Sequence, residues 1–327
     1  MTSHGQREIS FLEAIREALL QEMRKDGTVF LIGEDIGRFG GVFGVTKGLQ
    51  KEFPDRVLET PISESAFVGC AIGAAIAGMR PVVELMFADF VGVAMDQVIN
   101  QAAKLRYISG GQITIPLVIR MPFGVGMRFA AQHSQTLYSI FTHIPGLKVV
   151  VPSTPYDAKG LLIEAIRDNN PVLYFEHKML YGLKGNAPED EYIIPFGKAT
   201  VIEEGADVTA VSCALMLHRT MEAVKKLKKE RVSVEVIDLR TLVPMDKATV
   251  LESVRKTGRL VIIDEDTPRC SIADYIASFV ADEAFGYLDS PIKRIQPPST
   301  PVSYSPVLED LYLPTSETIS KVIKSLC

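Results

Sequence analysis

Short, nearly uninterrupted apolar runs recur through the first half of this sequence, each of strand length and separated from the next by a helix-like segment. The runs are Val29–Gly33, Pro81–Phe87, Ile113–Arg120, Leu147–Val151 and Val172–Phe175. Strands that are apolar on both faces occur in parallel sheets whose two sides are covered by helices. The sequence therefore predicts an α/β fold built on a mostly parallel, doubly wound sheet.

Caps and apolar spacing predict the helices between these strands. Ser10 and Glu13 form a capping box before a first helix. Thr154 caps a helix that begins with proline and runs to about Asp168. A further helix is expected from about Val91 to Tyr107. Helices of this length can connect neighbouring parallel strands, which a tight turn cannot do.

A change of composition divides the chain. Between Tyr181 and Pro195 the pattern gives way to Gly, Asn, Pro, Glu and Asp, which predicts a linker. A second α/β series follows, with strands expected at Val208–Ser212, Val232–Ile237 and Leu260–Asp264 and helices at Leu215–Lys229, Asp246–Lys256 and Ile272–Phe285. We therefore expect one domain over residues 1–185 and a smaller one over residues 186–327.

Charge and cysteine content argue against several classes of function. The 327 residues carry a net charge of −5, so no basic face for nucleic acid or an acidic membrane is expected. The start of the chain lacks a hydrophobic signal segment, and the uncharged stretch after Glu64 is too short to cross a bilayer. The four cysteines show no C-x-x-C spacing, which argues against a zinc site or a disulfide scaffold. A cytoplasmic location is the expectation.

The stretch from Thr60 to Gly78 combines one carboxylate with an apolar helix rich in small residues. Glu64 begins this helix, and Gly69 and Gly73 lie within it. Glycine costs about 0.5–1 kcal/mol in a helix interior, so a helix that keeps it is suited to close approach by a partner or ligand. The structural alternative is that Ser63 and Glu64 only cap the helix and complement its dipole.

His133 is the second candidate for chemistry. It follows the predicted strand Ile113–Arg120 in a glycine-containing loop, and ligands of open α/β sheets bind beyond the carboxyl ends of strands. Gln132, Ser134 and Gln135 supply polar groups that could fix its tautomer. The alternative is a loop histidine satisfied by backbone groups.

Two further patterns are weaker. Gly124-Val-Gly126 follows a strand, but Phe129 stands where a dinucleotide-binding turn needs its third glycine. Asp264, Glu265 and Asp266 form a carboxylate cluster at a strand end, which we expect to be solvated charge or a contact with another chain. Neither pattern predicts the active site.

Several motifs together resemble a known family. Glu64 followed by Gly69-Cys-Ala-Ile-Gly73 matches the E-x4-G-Φ-x-x-G signature of thiamine-diphosphate enzymes of the transketolase type. Further matches run essentially end to end: Glu84–Phe90, Asp96–Asn100, Ala131–Gln135, Pro145–Val150, Asp157–Gly160, Ile166–Pro171 and Glu235–Thr241. The chain thus resembles the E1 β subunits of 2-oxo-acid dehydrogenase complexes. Its closest resemblance is to the acetoin dehydrogenase branch, through Glu176–Lys178, Pro268–Ser271 and Leu308–Pro314.

The resemblance implies a pyrimidine-binding domain, a transketolase C-terminal-like domain and thiamine diphosphate as cofactor. By the family alignment Glu64 hydrogen-bonds N1′ of the aminopyrimidine and assists loss of the C2 proton. An apolar setting suits a carboxyl group that must share a proton. Ile62, Met86 and Phe90 would pack against the aminopyrimidine ring, and His133 would assist acyl transfer to a lipoyl group.

The resemblance also implies partners. The family binds the diphosphate and Mg²⁺ with a G-D-G turn that is missing here, the nearest string being Lys25-Asp-Gly27 at a helix end. We therefore expect a separate α subunit to hold the diphosphate and Mg²⁺, in an α2β2 heterotetramer that serves a lipoylated E2 component.

A monovalent cation such as K⁺ is implied by the resemblance alone. Its ligands would be carbonyl oxygens of Leu117, Ala165, Ile166 and Asn170 together with an oxygen of Asp168, and such oxygens suit a hard cation. The structural alternative is that Asp168–Pro171 only ends a helix.

The predicted function is the β subunit of an E1 component that cleaves acetoin or decarboxylates a 2-oxo acid. Within the family the alternative is the β subunit of a pyruvate or branched-chain 2-oxo-acid dehydrogenase. From another class the alternative is a scaffold subunit without catalytic residues, and the presence of Glu64 and His133 argues against it.

Overall fold

The computed structural model describes residues 7–327, which form two α/β sheets and one two-stranded sheet. The strands, in chain order, are β1 (Arg7–Ser10), β2 (Val29–Gly33), β3 (Val57–Glu59), β4 (Arg80–Glu84), β5 (Val118–Phe123), β6 (Lys148–Val150), β7 (Val172–His177), β8 (Lys184–Ala187), β9 (Thr200–Glu203), β10 (Val208–Ser212), β11 (Val234–Asp238), β12 (Thr241–Val243), β13 (Leu260–Ile263) and β14 (Lys293–Ile295). The predicted lack of a signal segment concerns the residues before Arg7 and lies outside the described residues.

Helices connect and cover these strands. They are α1 (Phe11–Lys25), α2 (Leu49–Glu52), α3 (Glu64–Ile76), α4 (Leu105–Ile108), α5 (Tyr138–Thr142), α6 (Pro155–Arg167), α7 (Ala214–Lys229), α8 (Lys247–Thr257), α9 (Ile272–Glu283), α10 (Pro306–Asp310) and α11 (Ser316–Lys324). Among residues 7–327, no helix has the length and apolar content needed to cross a membrane.

The larger sheet contains seven strands in the order β12-β6-β7-β5-β4-β2-β3, which confirms the predicted parallel core. All its pairings are parallel except that of β12 with β6 at one edge. Gly33 of β2 is level with Glu59 of β3 and Glu84 of β4, and Glu84 is level with Arg120 of β5. The carboxyl ends of these four strands therefore meet at one side of the sheet.

The two predicted caps set the starts of α1 and α6, which pack against each other. The Ser10 hydroxyl accepts the backbone N–H of Glu13 at 3.2 Å, and the Thr154 hydroxyl accepts that of Asp157 at 3.1 Å. A cap of this kind stabilises a helix by about 1 kcal/mol. These local signals are strong because they depend only on neighbouring residues.

The second half forms a five-stranded sheet in the order β14-β13-β10-β11-β9, as the second α/β series predicts. The residues predicted to form a linker are folded and pack against the first half. They include β8, which pairs antiparallel with β1, and the next residues cover α6. The buried amine of Lys159 donates hydrogen bonds to three of their backbone carbonyls, those of Pro188, Glu189 and Asp190. Polar composition alone did not indicate this packing.

The helix predicted from Val91 to Tyr107 is wrong as a single element. The chain instead forms a 3₁₀ segment over Ala88–Ala94, a π-helical segment over Gln97–Ala102 and the short α4. Gly92 weakens helical continuity, and π-helical turns are frequent beside functional sites. The break matters because Asp89 and Phe90, at its start, face the candidate site described next.

Candidate active site

Glu64 is the first residue of α3, which packs against β2 and β4. Glu64 is only 7% exposed, although it is a carboxylate at a helix end. The Ser63 hydroxyl makes no capping hydrogen bond to α3 within the described chain, so the purely structural reading of this pair is weakened. Carboxylates are seldom buried without a partner, so the burial of Glu64 at the start of α3 makes it a candidate functional residue.

A second buried carboxylate, Glu34, directly follows β2 and lies beside Glu64. Burial and the charge of Glu64 raise the pKa of Glu34, and the backbone N–H of Ser63 only partly offsets them. Two carboxylates that share an apolar site cannot both ionise freely, so such a pair favours a ligand that shares a proton. Sequence reasoning missed Glu34, and its position directly after a buried strand was the available signal.

Apolar side chains and unpaired acceptors lie close to Glu64 in sequence or on the segments that pack against α3. Ile62 is 82% exposed, and Met86 and Phe90 are partly exposed. The Oε1 atoms of Glu34 and Gln97 are buried without a hydrogen-bond partner among residues 7–327. Apolar surface beside unpaired acceptors matches the needs of an aminopyrimidine, so the residues present fit the cofactor that the sequence implies.

A buried ionic network links strands β4, β5 and β7 near their carboxyl ends. Arg120 of β5 donates to Glu84 of β4 at 2.7 Å and to Glu176 of β7 at 2.6 Å, and the Tyr181 hydroxyl donates to Glu176 at 2.8 Å. Burial and the Glu176 charge raise the pKa of Glu84, although Arg120 opposes them. A Cβ added at Gly41 would lie 2.7 Å from Glu84 Oε1, so the glycine-rich loop after β2 rests on this network. Breaking such a pair by removing one partner typically costs about 3–5 kcal/mol.

The loop that leads from β5 to His133 has an unusual backbone. Gly124, Gly126, Arg128 and Ala130 all have positive φ, at +96°, +122°, +63° and +59°. A left-handed conformation costs about 1–2 kcal/mol for each non-glycine residue, so Arg128 and Ala130 need surrounding contacts that hold them. No helix begins directly after Gly126, the next one being α5 at Tyr138, whereas a dinucleotide-binding turn leads straight into a helix.

His133 lies in an aromatic corner formed with Phe87 and Phe90. The ring centroids of Phe87 and Phe90 are 4.7 Å and 5.3 Å from that of the imidazole, in edge-to-face arrangements. The structure therefore brings together two of the predicted site residues, His133 and Phe90. Gln135, expected to fix the imidazole, instead donates to Asp89 at 2.9 Å.

Lys178 holds the backbone at His133. Its buried amine donates to the His133 carbonyl and lies 5.4 Å from the centre of the Phe87 ring and 5.5 Å from that of Phe129. Burial lowers the pKa of Lys178 to about 8, although the charges of Asp89 and Glu265 act against this. In the sequence, Lys178 stands out only as part of the family-matching segment Glu176–Lys178. Its distance along the chain from His133 gives no sign that the two are in contact.

The expectation of solvated charge at Asp264–Asp266 is wrong, since all three carboxylates are buried. Tyr138 of the first half donates its hydroxyl to Asp264, and His177 Nε2 lies 2.8 Å from Glu265 Oε2. Burial opposes ionisation of Glu265, yet His177 and the N–H of Val125 lower its pKa overall. The cluster joins the two halves of the molecule and forms part of a cleft of about 1230 Å³ between them.

A pH dependence of stability follows from Asp264. Burial and the charge of Asp266 raise the pKa of Asp264 to about 7. In the unfolded chain Asp264 has the ordinary pKa of about 4, so the folded protein holds this proton more tightly than the unfolded chain does. The resulting contribution to the free energy of unfolding is complete below about pH 4 and is lost as the pH rises through about 7. We expect the free energy of unfolding to fall by about 1 kcal/mol between pH 6 and 8.

Thermal melting of the chain over this pH range measures the effect, with Asp264→Asn as the variant. The asparagine can still accept the Tyr138 hydroxyl but cannot ionise. We expect Asp264→Asn to flatten the decline in melting temperature. A variant that declines as steeply as the parent protein would exclude Asp264 as its source.

The residues predicted to bind a monovalent cation lie together, but this chain already supplies positive charge there. Arg80 Nη1 donates to the carbonyls of Ile166 at 2.9 Å and Asp168 at 3.1 Å, and the Lys148 amine pairs with the Asp168 carboxylate. Two further predicted ligands have backbone partners, because the carbonyl of Leu117 accepts the N–H of Val172 and that of Ala165 accepts the N–H of Asp168. The side-chain oxygen of Asn170, which is not the predicted ligand atom, accepts from Arg106. The oxygen set suits a hard cation, which would have to compete with Arg80 and Lys148.

The near-match to the family's metal-binding turn serves a local role. Asp26 Oδ1 accepts the backbone N–H and the hydroxyl of Thr28, at 2.8 Å and 2.7 Å. Within the described part of the chain, no group of three or more His, Cys, Asp or Glu side chains is arranged to hold a metal ion.

Comparisons with known proteins show the family of this chain. The family model described as "Transketolase, pyrimidine binding domain" matches residues 7–184, and the one described as "Transketolase, C-terminal domain" matches residues 197–319. The acetoin:2,6-dichlorophenolindophenol oxidoreductase subunit beta of Cupriavidus necator is 56% identical over 96% of each chain. Its counterpart in Bacillus subtilis is 53% identical over 98% of this chain and 97% of that one. The 2-oxoisovalerate dehydrogenase subunit beta of Bacillus subtilis is 44% identical over 97% of this chain and 98% of that one.

Among solved structures, a split-gene transketolase matches with a TM-score of 0.81 at 22% identity, over 97% of this chain and 98% of that one, which shows the shared fold.

Proposed function

This chain belongs to the transketolase family, and from that membership we propose that it is the β subunit of a thiamine-diphosphate-dependent E1 component that cleaves acetoin. The observation that carries the proposal is the placement of Glu64. It is buried at the start of α3, beside a second carboxylate, with exposed apolar residues nearby. Acetoin is favoured because the acetoin relatives share more sequence with this chain than the 2-oxoisovalerate relative does.

The residues of this chain have separate tasks in that reaction. When bound, thiamine diphosphate supplies the thiazolium carbon that attacks the carbonyl of the substrate. Glu64 would share a proton with N1′ of the aminopyrimidine, while Ile62, Met86 and Phe90 would keep that ring in place and exclude water. His133 would donate a proton to a sulfur of the lipoyl ring during acyl transfer.

An assay panel tests the substrate. The chain, reconstituted with its α subunit, would be given acetoin, pyruvate and branched-chain oxo acids with an artificial electron acceptor. We expect the highest kcat/KM with acetoin. A higher value with pyruvate or a branched-chain acid would move the chain to the alternative branch, and no turnover of any of them would favour a scaffold subunit.

The diphosphate and Mg²⁺ are proposed to be held by an α subunit, because Asp26 in the near-matching turn is already satisfied by Thr28. We expect the isolated chain to bind thiamine diphosphate and Mg²⁺ weakly or not at all. Titration calorimetry on the single chain measures this, with the reconstituted αβ pair as the positive control. Tight stoichiometric binding by the single chain would contradict the shared site.

The glycine face of α3 is the proposed contact with the α subunit. A Cβ added at Gly73 would meet no atom of the described chain within 4 Å, so this glycine is not required by packing inside residues 7–327. We expect Gly73→Leu to leave the melting temperature of the isolated chain within a few degrees of the parent while preventing assembly with α. Size-exclusion chromatography of the mixed subunits measures assembly, and normal assembly by Gly73→Leu would exclude this face.

Three finer assignments are part of the same proposal: an α2β2 assembly that serves a lipoylated E2 component, a cytoplasmic location, and a monovalent cation at the Asp168 turn. The first rests on the subunit names of the relatives. The last rests on the family resemblance and on the oxygen atoms at that turn, and K⁺ binding there would require Arg80 to leave the carbonyl of Ile166.

A further inference from the structure

The loop that carries His133 is held by the second half of the molecule. Backbone N–H groups of this loop, which we call the His133 loop and define as Gly124–His133, point at two carboxylates. Glu265 Oε1 accepts the N–H of Val125 at 2.7 Å. Glu309 Oε1 accepts those of Gly126 at 2.9 Å and Arg128 at 3.1 Å.

Glu309 is unusually committed to this task. It lies on the short helix α10 and is 2% exposed, and the hydrogen bonds of its carboxylate go to the loop. Its second oxygen, Oε2, accepts a hydrogen bond from the Arg128 guanidinium at 2.6 Å. An ionised carboxylate can accept several donors at once, and charged acceptors make the stronger hydrogen bonds.

The loop needs such support, because its backbone is strained. Arg128 and Ala130 have left-handed conformations, and residues in that state persist only when their surroundings over-determine them. Gly124 and Gly126 also have no room for a side chain, since an added Cβ would lie 2.2 Å from His177 Nε2 and 2.9 Å from Met179. The hydrogen bonds from both carboxylates act on this strained part of the loop.

We propose that the second half positions the His133 imidazole, with Glu309 and Glu265 as positioning residues. The proposal rests on the proposed role of His133 in acyl transfer. The contacts hold the loop at both ends: Glu309 fixes Gly126 and Arg128 and Glu265 fixes Val125 at its start, and Lys178 fixes the carbonyl of His133 at its end. A histidine presented this way meets a lipoyl group with little reorganisation.

Glu309→Gln in the reconstituted αβ complex is the direct test. The amide keeps one acceptor oxygen but turns an NH₂ group toward either Arg128 or the loop N–H groups, so one set of hydrogen bonds is lost. We expect hydrogen exchange of the Val125–Arg128 amides to rise about tenfold. Transfer to a lipoylated E2 domain should fall about tenfold, while proton exchange at C2 of the bound cofactor changes less than twofold.

Two further variants complete the test. Glu317→Gln is the matched control, because Glu317 also lies in the second half and pairs with Lys226 at the surface, away from the loop. Glu309→Asp keeps the charge but shortens the reach, and it serves if the amide variant fails to assemble. We expect it to raise loop exchange as well.

The outcomes separate this proposal from the function on which it rests. Unchanged exchange of the Val125–Arg128 amides in both Glu309 variants would overturn the positioning role, whatever the activity. Raised exchange with normal transfer would overturn it too, provided that His133→Ala loses transfer. If His133→Ala transfers normally, the proposed role of His133 fails, and the catalytic part of the positioning proposal fails with it.

Discussion

Glu64→Gln should fold and assemble with the α subunit, yet lose proton exchange at C2 of the bound cofactor by roughly 10²–10⁴-fold. The reason is chemical, because an amide keeps the shape of the side chain but cannot share a proton with a ring nitrogen. Glu64 is buried beside Glu34, and its charge contributes to the raised pKa of Glu34. Hydrogen–deuterium exchange at C2, followed by NMR after acid quench, measures the step before any substrate is consumed.

Glu52→Gln provides the control for that experiment. Glu52 lies on α2 and pairs with Arg24 at the surface, so the same chemical change there should leave C2 exchange unchanged. Melting temperature and assembly with α should match the parent protein in both variants. Normal C2 exchange in Glu64→Gln would refute the proposed role of Glu64 outright.

His133→Ala should show the opposite division of effects. Cofactor binding and C2 exchange should stay near normal, while transfer to a lipoylated E2 domain falls by roughly 10²–10⁴-fold. The structure gives the reason for separation, since His133 lies on a loop, in the corner formed by Phe87 and Phe90, whereas Glu64 begins helix α3. Stopped-flow measurement of acyl transfer, beside an assay with an artificial oxidant, resolves the two steps.

His143→Ala is the matched control, because His143 is an exposed histidine at the end of α5. It should transfer at the parent rate. If His133 only fixes the loop, His133→Ala should instead lose activity equally in every assay and melt at a lower temperature. An artificial oxidant that restores part of the activity of His133→Ala would agree with a role limited to transfer.

The parts of the fold that were predictable are those that neighbouring residues determine. The cap at Ser10, the buried strand Val29–Gly33 and the strand Val208–Ser212 are written in local pattern, and each is confirmed. The prediction of one α-helix from Val91 was wrong because apolar residues recur in 3₁₀ and π-helical segments much as they do in an α-helix. The sequence pattern therefore does not distinguish the three. Strand β12 was missed because three residues give too short a pattern.

The site divides in the same way. Glu64 and His133 were singled out from local pattern, a carboxylate before an apolar helix and a polar loop after a strand, and a family motif surrounds each of them. Glu34, Lys178 and Glu309 were not singled out for chemistry, because each acts through a contact between distant parts of the chain. Glu309 reaches Gly126 across the two halves, and no spacing in the sequence encodes that distance.

Strand β12 also limits how this protein can be taken apart. It belongs to the second half by sequence, yet it forms the outer strand of the first sheet beside β6, and Val151 donates to the Arg240 carbonyl at 2.9 Å. A fragment that stops before Thr241 would expose β6 as an unpaired edge, a common starting point for aggregation. The two halves are therefore poor candidates for separate expression or exchange between relatives, and a chimera would be viable only if its junction keeps β6 and β12 from the same parent.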